Sequence, residues 1–396
     1  MAMTGHSFSA ACGLDGLRSR LVEARRAVRA PVGALLFLSG GLVQRLPAVA
    51  EVAREIFRGV ATCLVPAAGV LSERGELEGE AGVSGMLWEG GDCAPFAAPA
   101  RDVAGAVALL LEPSGPSAPS RQPGARPRTG TVLLFMRPEA VEADTLSALS
   151  DAAPGSTVLG AGTVGANPIV ILASGEVREA AAVGLVLTGL APPLVETAGA
   201  CRLLSEFHPI DEVTEGGLVL SVGGKPALDL LSSCTNRVGR PRPADPAEPA
   251  PVVFAALADP ASTSEASPRF VVRPVRGLDT ARRGLMIGDA ARRGVRLAFA
   301  VRDATTARSE LAAATQRISR GILGASPRFA LYLTCAGRGQ SLYGARDVEA
   351  RILRSRFGDL PIAGMHSAFE LVPWNAESDA RIALYSSVLA LFRAPS

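Results

Sequence analysis

The sequence predicts an α+β protein of two domains, with mixed or antiparallel sheets flanked by helices. Short apolar runs bounded by turn residues outnumber amphipathic helical segments, and several neighbouring runs are joined by connections of hairpin length. A doubly wound parallel sheet would instead need a crossover helix between most consecutive strands. At 396 residues, 48% of them hydrophobic, the chain is also long enough to build two cores.

Composition and periodicity predict where the domains begin and end. Residues 1–13 lack a clear pattern and are predicted as an N-terminal tail. Residues 14–225 form the first predicted domain, interrupted at 112–130 by a Pro- and Arg-rich insert that has almost nothing to bury and is predicted to be disordered. Residues 226–393 form the second domain, with a proline-rich linker at 238–251 near its start.

In the first domain, apolar residues at helical spacing predict helices, and short continuous apolar runs predict strands. The predicted helices are 14–28, 47–56 and 142–149. The predicted strands are 32–38, 62–65, 82–88, 104–111, 131–136, 156–159, 168–173 and 182–187. The acidic stretch 72–80 is predicted as a connection between strands, and 173–176 as the turn of a hairpin.

The second domain follows the same mixture of patterns. A short helix is predicted through Leu228 and Leu231, and two longer ones at 311–318 and 348–357. The predicted strands are 270–275, 285–287, 295–301, 331–335, a region from 361 to 372, and 382–392. In the strand 295–301 large apolar residues alternate with arginine and alanine, which indicates that one face is buried.

Charge, cysteine usage and hydropathy exclude several classes of protein. The net charge is only +2 and no basic block is interleaved with aromatic residues, so neither nucleic acid nor an anionic membrane is expected as a partner. The longest uncharged apolar run, 180–195, is broken by glycines and prolines, and the N-terminus has no secretory signal pattern. Six cysteines without a C-x-x-C pair indicate a reducing compartment. We therefore expect a cytoplasmic protein.

The segment Gly160-Ala161-Gly162-Thr163-Val164-Gly165 matches the spacing of a dinucleotide-binding motif. Such a motif requires a helix to begin there, so that its N-terminus can bind the pyrophosphate, but a strand is predicted to follow. We interpret it as a tight turn between strands. His6 and His208 have no partner at metal-ligand spacing. Neither a cofactor nor a metal ion is therefore expected.

Candidate functional residues concentrate near the C-terminus. Cys335 ends an apolar strand, and Gly337 and Gly339 flank Arg338 in a turn expected to expose the guanidinium for capture of a carboxylate. Glu370 interrupts an apolar strand, where a carboxylate is unfavourable unless it is paired. It is predicted to pair with Arg338 or to hold the amine of a ligand.

These C-terminal residues resemble a known family. The matching residues are Cys335-Ala336-Gly337-Arg338-Gly339, Leu342-Tyr343-Gly344, Glu349 on a helix, 357–364 and Glu370. They are similar to the C-terminal half of FIST domains, which are sensory modules of bacterial signal-transduction proteins and some eukaryotic F-box proteins. Looser matches at 62–96, which includes Glu76 and Glu78, and at 160–162, 175–177, 213–214 and 226–228 extend the resemblance. Phe369 stands where the family has glycine, and Met365 where it has an aromatic residue.

The resemblance implies a FIST N domain followed by a FIST C domain that binds a small ligand such as an amino acid. We expect a stand-alone sensor that holds a carboxylate-bearing ligand between its domains and signals through a separate partner protein. No catalytic residue is carried over. The predicted ligand-binding residues are Cys335, Gly337, Arg338, Gly339, Tyr343, Gly364, His366 and Glu370.

Two alternatives stay open at this point. A thiol at a strand end near an arginine is a candidate nucleophile, so Cys335, with His366 as base, is compatible with an acyl transferase or hydrolase. Cysteine is also one of the most frequently buried residue types, which favours a role of Cys335 as part of a pocket wall. A ligand-free adaptor or scaffold is the other alternative.

Overall fold

The computed structural model describes residues 4–112, 128–142, 144–237, 252–259, 262, 268–288, 290–322, 326–373 and 380–394. Several mixed or antiparallel sheets are flanked by helices, which confirms the predicted α+β class. Within these ranges no helix has both the length and the apolar character needed to span a membrane. The predicted linker 238–251 and most of the predicted insert 112–130 lie outside the described residues.

The helices are named in chain order. They are α1 (Leu14–Ala27), α2 (Gly41–Gln44), α3 (Leu46–Ile56), α4 (Val103–Leu111), α5 (Thr145–Ala152), α6 (Ala227–Arg237), α7 (Ala304–Gly321), α8 (Gln340–Tyr343) and α9 (Val348–Phe357). Each predicted helix corresponds to one of them.

The strands are also named in chain order. The first fourteen are β1 (Thr4–Ala11), β2 (Gly33–Ser39), β3 (Ala61–Pro66), β4 (Gly69–Ser72), β5 (Gly75–Glu78), β6 (Gly82–Glu89), β7 (Asp92–Ala98), β8 (Thr131–Met136), β9 (Thr157–Gly162), β10 (Ile169–Ile171), β11 (Val177–Glu179), β12 (Ala182–Thr188), β13 (Leu194–Gly199) and β14 (Cys201–Leu203). The others are β15 (His208–Val213), β16 (Leu218–Val222), β17 (Lys225–Pro226), β18 (Val253–Ala258), β19 (Phe270–Pro274), β20 (Gly277–Asp279), β21 (Gly284–Met286), β22 (Arg296–Arg302), β23 (Pro327–Cys335), β24 (Ile362–Ser367), β25 (Glu370–Pro373), β26 (Ala380–Ala383) and β27 (Ser386–Arg393).

Contacts divide the chain into two units. The larger unit combines Met1–Gly199 with Arg308–Ser396, and the smaller unit is Ala200–Ala307. This division differs from the predicted boundary at residue 225. The physical reason is sheet pairing, because strands from both ends of the chain share hydrogen bonds in the larger unit.

Among the described residues, the larger unit contains three six-stranded sheets. Sheet I has the order β1-β6-β2-β3-β10-β11, sheet II the order β26-β25-β9-β8-β12-β7, and sheet III the order β13-β27-β23-β24-β4-β5. Each sheet has one parallel pair, namely β2 with β3, β8 with β9, and β23 with β24. Helices connect the strands of each pair, as parallel pairing requires.

Separate groups of helices cover the three sheets. Helices α1 and α3 pack on sheet I, α4 and α5 on sheet II, and α7 and α9 on sheet III. Aromatic pairs join the sheets on their other sides. Phe37 of sheet I lies against Phe135 of sheet II with ring centroids 5.9 Å apart. Phe329 of sheet III stacks on Trp88 of sheet I at 6.1 Å. Strand β2 is therefore buried on both faces, as its continuous apolar sequence predicts.

The smaller unit has one nine-stranded sheet. Its main path is β19-β18-β22-β15-β16-β21-β20, with β14 paired to β22 and β17 to β16. Helix α6 packs on it through Ala227, Leu230 and Cys234. The predicted alternation of 295–301 is confirmed, because Leu297 and Phe299 belong to this core.

The structure corrects several sequence-based predictions. The predicted tail contains β1, whose eight residues all pair with β6, although Phe8 is its only large apolar residue. The segment predicted as strand 104–111 is α4, where Val103, Val107 and Leu111 are buried at a spacing of four. In a continuously apolar run of this length, composition cannot distinguish a helix from a strand.

Other corrections concern strand boundaries. The predicted connection 72–80 contains the hairpin of β4 and β5. The predicted hairpin turn at 173–176 joins β10 to the short strand β11, whereas β12 belongs to sheet II. The regions 361–372 and 382–392 each contain two strands, because turns at 368–369 and 384–385 send the chain to a different sheet.

Close packing explains the glycines of the dinucleotide-like motif. A Cβ at Gly160 would lie 1.7 Å from the carbonyl oxygen of Leu134, and one at Gly162 would lie 2.5 Å from the ring of Phe369. Gly165 has a positive φ of 85° in the turn that follows β9. The next regular element is β10, which confirms the predicted turn between strands. Phe369, where the family has glycine, therefore packs against Gly162 in the core of sheet II.

Candidate functional site

Four neighbouring strands of sheet III place a row of polar side chains on one face. Across β23, β24, β4 and β5, the register partners are Thr334, His366, Gly69 and Glu78. A parallel row two residues away joins Tyr332, Gly364, Leu71 and Glu76. Register partners point to the same side of a sheet, and so do residues two apart on a strand. We call this side of sheet III the covered face, because α9 packs over it.

Glu349 is the centre of the polar cluster under α9. Its Oε2 accepts hydrogen bonds from the hydroxyls of Tyr332 at 2.9 Å and Thr334 at 2.8 Å. Its Oε1 accepts from Arg338 Nε at 2.7 Å and from the hydroxyl of Tyr343 at 2.7 Å. Glu349, Tyr332, Thr334 and Arg338 are completely buried. The carboxylate therefore has four donors, which is close to its full capacity.

Arg338 reaches Glu349 from the turn after β23. Its Nη1 donates to the carbonyl oxygen of Ala198 at 3.1 Å, and its Nη2 lies 3.4 Å from the Tyr343 hydroxyl. The sequence predicted an exposed guanidinium, and the structure places it at 0% exposure. Arg338 is therefore part of an internal ion pair and does not project into solvent.

The ion pair keeps both groups charged despite their burial. Burial by itself raises the pKa of Glu349, but the positive charge of Arg338 and the hydrogen bonds from Tyr343 and Thr334 outweigh it and hold the pKa below its ordinary value. Burial lowers the pKa of Arg338, and the Glu349 carboxylate more than compensates, so the net direction is upward. The pair is therefore ionised in the folded protein.

Glu76 connects β5 to the start of α9. Its Oε1 accepts hydrogen bonds from the backbone N–H groups of Glu349 and Ala350, both at 2.9 Å. In return, the Glu76 N–H donates to Asp347 Oδ1 at 2.7 Å. These contacts satisfy two of the N–H groups that a helix N-terminus leaves without partners. Burial raises the pKa of Glu76 to about 7, and the nearby charge of Glu349 adds to the rise.

His366 lies beside Glu76 in the middle of the covered face. Its Nε2 is 3.8 Å from Glu76 Oε2, and the residue is 1% exposed. Among the described residues neither ring nitrogen has a hydrogen-bond partner. Burial lowers the pKa of His366, so the imidazole is neutral near neutral pH.

Glu78 lies at the more open end of the same row. Its carboxylate accepts the N–H of Gln340, the first residue of α8, at 2.9 Å and 3.2 Å. A Cβ at Gly339 would lie 2.1 Å from Glu78 Oε2. The residue after Arg338 therefore lies in close contact with the Glu78 carboxylate of β5.

Cys335 lies on the other side of sheet III. Cys335 is the register partner of Ser367, and both are offset by one residue from the Thr334–His366 pair. Cys335 and His366 therefore project from opposite faces, so the thiol and the imidazole do not form a nucleophile–base pair. Burial raises the pKa of Cys335 to about 11, and the charge of Glu370 contributes to the rise. Both features favour a buried structural thiol.

Glu370 is held by two serines. Its Oε1 accepts the Ser367 hydroxyl at 2.7 Å and its Oε2 accepts the Ser386 hydroxyl at 2.5 Å. Glu370 is completely buried, and this burial raises its pKa to about 8, although the serine hydrogen bonds act in the opposite direction. It begins β25 in sheet II, whereas His366 lies on β24 in sheet III, so the predicted strand region 361–372 is divided between two sheets.

The raised pKa of Glu370 predicts a pH-dependent stability. Because the pKa in the folded state lies above the unfolded value of 4.5, the associated stabilisation is complete below that value and is lost as the pH rises through about 8. Glu370→Gln removes this titration. The free energy of unfolding of the variant, relative to that of the natural chain, should rise steadily between about pH 5 and about pH 8 in urea titrations. A difference that does not change with pH would contradict this assignment.

The structure thus brings some of the predicted residues together and separates others. Arg338, Tyr343, Gly364 and His366 meet on or over the covered face, and Gly339 borders it. Gly337 lies in the turn between Cys335 and Arg338. Gly364 has no room for a side chain, since a Cβ there would lie 2.1 Å from the carbonyl oxygen of Tyr332 and 2.9 Å from Leu71 Cδ1.

The predicted ligand-binding set did not include several residues of this cluster. They are Glu76, Glu78, Tyr332, Thr334 and Glu349. One signal was available for Glu349, which lies four residues before the buried Leu353 and so occupies the apolar side of α9. Glu76 and Glu78 alternate on β5 and thus share a face, but the sequence does not indicate which strand lies beside them.

The smaller unit contains a cavity of about 530 Å³. It lies between α6, the segment from β14 to β15, and β17. The residues that line it are Leu203, Leu204, Ser205, Glu206, His208, Lys225, Leu230, Ser233 and Cys234. Charged, polar and apolar side chains therefore line the same cavity.

Comparison with known proteins assigns part of this architecture. The family model of the FIST C domain matches residues 227–373, so the chain contains a FIST C domain that begins with α6 and ends with β25. This confirms the C-terminal part of the resemblance. Arg338, Glu349, His366 and Glu370 lie inside the match.

The segments that match relatives of the chain are longer than that domain. The uncharacterized protein Rv0628c of Mycobacterium tuberculosis (strain ATCC 25618 / H37Rv) is 26% identical over 223 residues, which is 56% of this chain and 57% of that protein. The uncharacterized protein Mb0898c of Mycobacterium bovis is 27% identical over 202 residues, or 50% of each chain. The chain spans about half the length of the curated relatives it matches.

Proposed function

We propose that this chain is a cytoplasmic sensory protein that binds a small carboxylate-bearing ligand, such as an amino acid, and signals through a separate partner protein. The FIST C domain at residues 227–373 carries the proposal, because FIST domains are sensory modules of signal-transduction proteins. We further propose that residues 14–225 serve as the FIST N-like domain that the sequence resemblance implies.

The cavity of the smaller unit is the proposed ligand site. Arg338, the carboxylate-binding residue expected from the sequence, is buried and already paired with Glu349. The cavity instead offers Lys225, the single lysine among 40 basic residues, together with His208. An ammonium group is a suitable partner for a carboxylate that arrives from solvent. We therefore propose Lys225, and not Arg338, as the residue that binds the ligand carboxylate.

The other lining groups match the remainder of an amino acid. Glu206 places a carboxylate at the cavity for an ammonium group, and Leu203 and Leu230 provide apolar surface for a side chain. The volume of about 530 Å³ is within the range of roughly 300–1,000 Å³ that is usual for small-molecule sites. These features support a zwitterionic ligand of amino-acid size.

The proposal is tested by a thermal-shift screen of amino acids and small organic acids, followed by calorimetry with the best compound. A ligand at about 100 times its Kd should stabilise the fold by about 2.7 kcal/mol. Lys225→Met should weaken binding about tenfold, because it removes one charged hydrogen-bond donor. Arg282→Met is the matched control, since Arg282 is an exposed cation of the same unit that pairs with Asp279.

Two outcomes would overturn the proposal. If no compound stabilises the natural chain, the ligand-free adaptor becomes the better description. If Lys225→Met and Arg282→Met bind a confirmed ligand with equal affinity, the cavity is not its site.

A further inference from the structure

Glu76, Glu78 and His366 form a cluster on the covered face that lies outside the proposed ligand cavity. Their nearest nitrogen and oxygen atoms all lie within 4.8 Å of one another. The sheet register produces this proximity, since Gly69 on β4 is paired with His366 on one side and with Glu78 on the other. A Cβ at Gly69 would lie 2.9 Å from His366 Cδ2 and 3.3 Å from Glu78 Cγ. Gly69 therefore allows the two side chains to approach across it.

The imidazole of His366 is the second observation that indicates a bound ligand. It is 1% exposed, and in the described part of the chain neither of its nitrogens accepts or donates a hydrogen bond. Buried polar atoms nearly always have a partner, because leaving them without one is unfavourable. The Nε2 atom lies 3.8 Å from Glu76 Oε2. A cation between them would satisfy both atoms.

Arginines near the cluster are engaged with other carboxylates. Arg338 is paired with Glu349, and Arg346 lies near Glu80. Among the described residues no arginine or lysine forms an ion pair with Glu76 or Glu78. Glu76 Oε1 is occupied by the α9 N-terminus, which leaves Oε2 for a ligand. Glu78 is only partly buried, so the cluster has a side that is open to solvent.

We propose that Glu76, Glu78 and His366 bind a divalent first-row transition metal ion, with Zn²⁺ or Mn²⁺ as the representative ions. One imidazole and two carboxylates are a ligand set for such ions, whereas Mg²⁺ and Ca²⁺ favour oxygen ligands alone. Bonds of about 2.0–2.2 Å place neighbouring ligand atoms roughly 3.0–3.5 Å apart, whereas these atoms lie within 4.8 Å of one another, so the cluster must contract by up to about 1.5 Å. Glu78, the most exposed of the three, has the freedom to make this movement. Three protein ligands leave at least one position for water or another ligand.

The test uses the full chain, freed of metal by a chelator and then titrated with Zn²⁺ or Mn²⁺ in a calorimeter. One equivalent is expected to bind at the cluster. Glu78→Gln should weaken binding at least about tenfold, as loss of a metal-binding group does. This variant keeps an acceptor for the Gln340 N–H, so the fold is retained. Glu80→Gln, two residues further along the chain, is the matched control and should bind as the natural chain does.

Co²⁺ absorption separates this site from cysteine sites. A His–carboxylate site gives visible bands without a thiolate charge-transfer band, and His366→Gln should abolish these bands while circular dichroism reports a folded protein. Binding no tighter than about 100 μM for both ions would overturn the proposal. Equal affinity of Glu78→Gln and Glu80→Gln would also overturn it, as would a thiolate band. None of these results bears on the ligand cavity of the smaller unit.

Discussion

Replacement of Arg338 by methionine should lower the free energy of unfolding by about 3–5 kcal/mol. The attraction between the two ions is not the reason, because the cost of removing both ions from water offsets much of it. The penalty arises because the substitution leaves the Glu349 carboxylate charged and completely buried, with only neutral donors around it. Urea-induced unfolding followed by circular dichroism measures the loss directly.

A second substitution tests the cause. In Arg338→Met/Glu349→Gln the uncompensated charge is gone, while an amide oxygen in the place of Oε2 still accepts hydrogen bonds from the hydroxyls of Tyr332 and Thr334. The double variant should therefore recover much of the lost stability. Arg346→Met is the matched control. Arg346 is exposed, and its Nη1 lies 3.6 Å from Glu80 Oε1. Surface ion pairs of this kind contribute less than about 1 kcal/mol to the free energy of unfolding. If Arg338→Met were as mild as Arg346→Met, the buried ion pair would not be essential to the fold.

Cys335 should be almost inert towards thiol reagents in the native protein. Its pKa of about 11 lies two units above the ordinary value of 9.0, which lowers the thiolate fraction at neutral pH about 100-fold. The side chain is also only 6% exposed, so the reagent has little access to it. Alkylation at the residue, followed by peptide mass spectrometry, should be at least about 100-fold slower in the native chain than in urea.

Cys12 provides an internal comparison for this experiment. It is partly exposed and should be labelled well before Cys335. Native Cys335 that reacts as fast as Cys12 would contradict the structural role. It would favour the alternative hypothesis of a thiol-dependent acyl transferase or hydrolase. In that case a residue other than His366 would have to serve as the base.

The local patterns in the sequence predicted much of the fold. Apolar periodicity identified α1, α3, α7 and α9, and continuous apolar runs identified β2, β8 and β23, because these signals depend only on which faces are buried. The sequence did not reveal β1, because its residues are mostly small or polar and form a strand only through pairing with β6 along their whole length. Tertiary pairing of this kind has no local signal.

In the candidate site, too, local features could be predicted from the sequence, but contacts between distant segments could not. Glycines around Arg338 predicted a turn, and a turn is present. They also suggested an exposed guanidinium, whereas the guanidinium is buried and the turn is in contact with Glu78, far away in the sequence. Likewise, the histidines have no partner at ligand spacing in the sequence, so the pattern did not indicate that acidic side chains lie beside His366. The carboxylates that face His366 come from β5 through the antiparallel pairing of β4 with β24 and β5.

The location of the bound ligand tests the central proposal most directly. A crystal structure of the chain with the tightest compound from the screen should show the ligand in the cavity of the smaller unit, with its carboxylate beside Lys225 and His208. Arg338 should remain paired with Glu349 in that structure. Ligand density against Arg338 or Glu370, with the ion pair open and the cavity free of ligand, would contradict the proposal.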